Sequence, residues 1–162
     1  MKKSIVLFVI LVLNIFIVAG CKKDDQKQNW KVVEATLNED GNIIVEKNEI
    51  TDEVTYISYK VDGVIIGLLA VKDSNSNVRV VINTCQSCGG SPNAYFIQID
   101  NKIQCQNCGN IFQIDDLGDL KDGGCNPIAI EDMKETENQI IIGVEQLKNL
   151  KDKFENWNGP KK

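Results

Sequence analysis

The chain contains no histidine, and that absence removes several chemistries at once. Ser-His-Asp and Cys-His catalysis, c-type haem attachment through C-x-x-C-H, Rieske ligation and every histidine-containing zinc or copper site are excluded. Arginine is nearly as scarce, with Arg79 the only one. A net charge of −5 with no cluster of Lys or Arg argues against nucleic acid, because neutralising phosphates needs such clusters. No nucleophile-and-base pair stands out, so an electron-transfer or metal-binding protein is expected rather than an enzyme. Aromatic residues make up only 6%, which leaves the core to be built from the plentiful Ile and Val, both strand formers. Long apolar runs are scarce as well. The one stretch, Ser4 to Gly20, carries Asn14 and falls short of the roughly 20 residues that a membrane-spanning helix needs.

That stretch has the layout of a signal peptide. Lys2 and Lys3 precede an apolar run from Ile5 to Ala19, and Gly20 and Cys21 follow. Ile17-Val18-Ala19-Gly20-Cys21 looks like a bacterial lipobox, in which the cysteine thiol is diacylated and the leader is cut just before it. Two acyl chains, at about 0.8 kcal/mol per buried methylene, make a lasting membrane tether. Lys22 to Asn29 is polar and without apolar periodicity, as in a flexible stalk. The expected organisation is a signal peptide at 1–20, a lipidated Cys21 and stalk at 21–30, one domain at 31–157 and a short tail at 158–162. The domain would be lipid-anchored to the cell membrane on its extracytoplasmic face. Without residues 1–20, 16 basic and 23 acidic residues remain, for a net charge of −7.

From Trp30 onward the pattern is mostly period two. Val54 to Val61 and Val64 to Val71 flank Asp62-Gly63, and Asp-Gly between two β-rich runs signals a type I′ hairpin, whose two central residues need φ > 0. Further strands are expected at Val78 to Asn83, Tyr95 to Ile99 and Lys102 to Gln104, the last two joined by Asp100-Asn101, and at Ile128 to Ile130 and Gln139 to Val144. From Val144 to Trp157, apolar residues at Leu147, Leu150, Phe154 and Trp157 line one face of a helix. The expected fold is mainly β (α+β), a small antiparallel sheet with two cysteine knuckles and a C-terminal helix packed on it.

The cysteines carry the chemistry. Cys85-Gln86-Ser87-Cys88-Gly89 and Cys105-Gln106-Asn107-Cys108-Gly109 are two copies of C-x-x-C-G with sixteen residues between the pairs, inside the spacing window for metal sites. Each C-x-x-C loop aims two thiolates at one point, and the following glycine permits a positive φ that turns backbone N–H groups toward the sulfurs. The result would be a rubredoxin- or zinc-ribbon-like S₄ site. Cys125 follows at the same interval, in Gly123-Gly124-Cys125-Asn126-Pro127, as an extra ligand, a replacement ligand or a redox partner. All-thiolate ligation suits an iron–sulfur cluster or iron, with Zn²⁺ or Cu(I) as alternatives, and argues against Mg²⁺ and Ca²⁺. A disulfide framework and a thiol redox relay compete with the metal reading, since disulfides persist outside the cytoplasm. Five is an odd number for a framework. Met133 would favour Cu(I) but reads as core filler. Asp115, Asp116, Asp119 and Asp122 read as a solvated loop.

These residues resemble the membrane iron–sulfur containing, FtrD-like family. The resemblance rests on a strand ending in C-x-x-C, a short hairpin carrying Tyr95, a second C-x-x-C-G, then Phe112-Gln113-Ile114, Leu117-Gly118 and the Gly123 to Pro127 motif. It implies a bacterial membrane-associated protein linked in some systems to an iron-permease uptake complex, with Cys85, Cys88, Cys105, Cys108 and Cys125 as ligand candidates. Two departures accompany it. Gly89 to Tyr95 differs from the usual glycine-tyrosine pair, and many relatives carry the domain on a multi-spanning membrane protein.

Overall fold

The computed structural model describes residues 29–119 and 124–162. The expected signal peptide, Cys21 and most of the stalk lie outside these residues, as do Asp122 and Gly123.

Three small sheets build the domain. The first has five strands in the order β1 (Lys31–Glu34), β4 (Thr55–Val61), β5 (Val64–Lys72), β6 (Val78–Cys85) and β10 (Pro127–Ile128). Its pairs are antiparallel except β1 with β4, which run parallel. The second has four strands in the order β11 (Met133–Glu135), β12 (Gln139–Ile142), β3 (Ile43–Glu46) and β2 (Thr36–Leu37). The third is the meander of β7 (Phe96–Ile99), β8 (Lys102–Cys105) and β9 (Ile111–Gln113).

The five-stranded sheet is covered on both faces, which explains why β5 is apolar from Val64 to Val71 rather than alternating. Ile66, Leu68 and Ala70 of β5 face a core shared with Ile43 and Val45 of β3 and Ile140 and Ile142 of β12. Leu69 and Val71 face a second core with Phe96, Ile103 and Leu117, to which Cys85 and Cys105 also belong. The β4–β5 turn has φ 46° at Asp62 and φ 88° at Gly63, as the Asp-Gly signal requires.

The expected helix from Val144 to Trp157 is shorter than its periodicity suggested. Helix α1 spans Glu145–Asn149, and a 3-10 turn, Lys151–Phe154, takes over after Leu150 leaves helical geometry at φ −99°, ψ 7°. Just past it, Trp157 N–H donates to Phe154 O (3.1 Å), and the two rings meet edge-on with centroids 5.3 Å apart. Leu147, Phe154 and Trp157 are buried against the sheet. The indole of Trp157 also meets Tyr95 edge-on at 6.2 Å and occupies the space above Gly67, where a Cβ would stand 2.7 Å from Cζ2. Beyond packing, this segment braces the first knuckle: Lys153 O accepts from Gly90 N–H (3.1 Å) and Pro92 O accepts from Asn158 N–H (2.9 Å).

Arg79 and Asp73 tie β6 to the segment after the second knuckle. Asp73, only 6% exposed, accepts from the Asn75 and Asn77 backbone N–H groups, from Asn77 Nδ2 and from Arg79 Nε. Burial alone would raise its pKa, but these donors outweigh it and hold the carboxyl below the ordinary carboxylate value. Arg79 Nη1 donates to Leu117 O and to Asp119 Oδ2 (2.9 Å). Asp115 likewise accepts from Ser74 N–H and Oγ. Asp115 and Asp119 are therefore joints between loops, not merely solvated charge.

Two outcomes follow. Gly67→Ala drives a methyl into the Trp157 ring, and overpacking of this kind costs about 1–3 kcal/mol, read as a fall in urea midpoint at unchanged slope. The depressed Asp73 pKa means that its bonds stabilise fully above the ordinary carboxylate range and are lost as pH falls through the folded-state value. Asp73→Asn should therefore flatten the decline in urea midpoint between pH 5 and pH 3.

Candidate metal centre

Strands β6 and β8 each end on a cysteine, Cys85 and Cys105, and each strand end opens into a C-x-x-C loop. In the first loop the Ser87 and Cys88 N–H groups point at the Cys85 sulfur. In the second the Asn107 and Cys108 N–H groups point at the Cys105 sulfur, and Asn110 N–H points at Cys108. These donors are what a thiolate needs when it leaves water.

Glycine serves the two loops differently. Gly109 has φ 78°, as the sequence pattern suggested, but in the first loop the positive φ of 93° belongs to Gly90 rather than Gly89. Gly89 is required for closeness instead: a Cβ there would stand 3.2 Å from Cys85 O and 2.9 Å from the Lys153 side chain. The loops are linked by Ser91 Oγ donating to Asn107 Oδ1 (2.6 Å) and by Gln106 N–H donating to Tyr95 O (2.8 Å).

This framework places the Sγ atoms of Cys85, Cys88, Cys105 and Cys108 within 4.8 Å of one another. Cys85 and Cys105 are buried, Cys88 is half-buried and Cys108 is exposed, so the site has a core side and a solvent edge. All five cysteines among the described residues are free thiols.

Cys125, the fifth candidate, lies against this group but outside its mutual 4.8 Å. Its segment is anchored to the first loop by Gln86 N–H donating to Asn126 O (2.9 Å), by Ser87 Oγ donating to Gly124 O, and by the pairing of Pro127 with Cys85. The Cys125 thiol donates to Cys108, which raises its own pKa. Burial raises the pKa of Cys85, and it raises that of Cys105. For Cys108, burial is outweighed by Asn110 N–H and by the Cys105, Cys125 and Cys88 side chains, and its pKa falls to about 7. The exposed Cys108 therefore ionises more readily than an ordinary cysteine and more readily than Cys85, Cys105 or Cys125.

Met133 is neither core filler nor a member of this group. It lies exposed on β11, in the second sheet. Sequence reasoning also missed the bracing partners of the knuckles, Lys153 and Ser91, since nothing in their local pattern distinguishes them from ordinary surface residues.

The donor set is all sulfur, which fits iron, zinc or copper(I) and not hard oxygen-seeking cations. A comparison with curated protein sequences finds no match. A family model described as membrane iron-sulfur containing protein FtrD-like matches residues 50–154, a span that holds both knuckles, Cys125 and most of the three sheets. The chain belongs to the FtrD-like family.

Proposed function

We propose that this protein is a membrane-anchored lipoprotein that binds iron through cysteine thiolates and serves electron transfer or metal handling linked to iron uptake. The observation that carries the reading is the convergence of four Sγ atoms within 4.8 Å on two rigid strand ends. The family description, with its membrane and iron–sulfur terms, supports iron over other thiophilic metals and an association with a permease complex or redox partner. The lipobox-like run ending at Cys21 supports a lipid anchor and an extracytoplasmic position. Among the described residues no helix is long and apolar enough to cross a membrane.

Iron in such a shell supplies a one-electron couple whose potential is set by the ligands and the hydrogen bonds to them. The chain's own contribution is visible. Five backbone N–H groups aimed at three sulfurs stabilise the more negative, reduced state. Burial of Cys85 and Cys105 excludes water from one side, and exposure of Cys108 leaves an edge that a redox partner can approach.

A second reading has one observation in its favour. Cys85 and Cys105 are integral to a hydrophobic core, as expected if a Zn²⁺ ion at the site only holds the fold together. The two readings separate on the full chain purified anaerobically in detergent. Iron with visible absorbance that bleaches on reduction is expected. A colourless protein holding zinc would overturn the redox role. For the anchor, Cys21→Ser should abolish incorporation of labelled fatty acid and release the chain from the membrane fraction; continued labelling would contradict the lipoprotein assignment.

A further inference from the structure

The family description implies an iron–sulfur group, and the spacing of the four sulfurs tests whether such a group fits. Around one metal ion with metal–sulfur bonds of about 2.3 Å, the edges of a sulfur tetrahedron are about 3.8 Å. All six Sγ pairs among Cys85, Cys88, Cys105 and Cys108 fall within 4.8 Å, a spread compatible with that single tetrahedron. In a cluster, thiolates bound to different irons are separated by the iron–iron vector as well as by two outward-pointing bonds. They then stand well apart across the cluster and close together only on a shared iron. Here every cross-knuckle pair also lies within 4.8 Å, which leaves no room for such a separation.

We propose that the site holds one metal ion in a Cys₄ shell, without inorganic sulfide, and that Cys125 is a free thiol outside that shell. The inference rests on the metal-binding reading above and narrows it. Room for a larger group would have to come from separating the knuckles. That movement is opposed by the Ser91–Asn107 bond, by the Gln106–Tyr95 bond and by Gly90 and Pro92 being held to the C-terminal segment. Once four thiolates close the shell, the fifth has no coordination position to fill. Cys125 is half-buried beside the group, its thiol in contact with the exposed Cys108 and with Cys85.

The test uses the full chain in detergent, purified without oxygen and analysed for metal, acid-labile sulfide and thiol reactivity under native conditions. The expected result is one metal ion per chain, no labile sulfide, and alkylation by iodoacetamide at Cys125 with Cys85, Cys88, Cys105 and Cys108 protected. Cys125→Ser should retain the wild-type metal content and visible spectrum, whereas Cys108→Ser should lose the wild-type spectrum. Near-ultraviolet circular dichroism checks that each variant is folded. Labile sulfide in proportion to two or more irons would overturn the one-ion site while leaving the metal-binding reading standing. Loss of metal from folded Cys125→Ser, or protection of Cys125 from alkylation, would overturn its place outside the shell. Absence of any metal would remove the metal-binding reading itself, and this inference with it.

Discussion

Four thiols that repel one another once ionised must be held within 4.8 Å, and the rest of the domain is arranged around that requirement. A chain segment free to move would relieve the repulsion by separating. Here the first cysteine of each pair is the last residue of a strand, so its position is fixed by the sheet. The second is fixed by the backbone N–H groups its loop turns toward sulfur. The two strands belong to different sheets, and a common apolar core containing Phe96, Ile103, Leu69 and Val81 holds those sheets together. The site is thus an outgrowth of the core, with Cys85 and Cys105 as members of it.

The other features support the two loops from outside. The C-terminal segment, anchored by Trp157 over Gly67, binds the stretch after the first knuckle through Lys153 O and Asn158 N–H. Arg79, the sole arginine, links buried Asp73 to Leu117 and Asp119 beyond the second knuckle. The Gly124 to Pro127 stretch returns to pair with the end of β6 and so brings Cys125 alongside. Packing on one side and polar ties on the other leave Cys108 the most exposed of the cysteines among the described residues.

Much of this was legible in the sequence, for identifiable reasons. The β4–β5 hairpin announced itself because Asp62-Gly63 needs left-handed backbone that few other pairs tolerate. The knuckles were legible because C-x-x-C-G couples ligand spacing to turn geometry. Less legible was whatever depended on partners distant in sequence. The parallel pairing of β1 with β4 leaves no local mark, since Lys31 to Glu34 is largely exposed. The apolar stripe after Val144 reads as one helix, but the chain changes to 3-10 winding after Leu150, and Phe154 meets Trp157 edge-on. Gly89 and Gly90 exchanged roles because the close approach of Cys85 O and Lys153 is a tertiary contact.

The central claim is that cysteine sulfur alone surrounds the metal. X-ray absorption at the metal edge of the loaded full chain tests it most directly. The account predicts a first shell of four sulfur scatterers at about 2.3 Å. A shell containing oxygen or nitrogen donors, or fewer than four sulfurs, would contradict it.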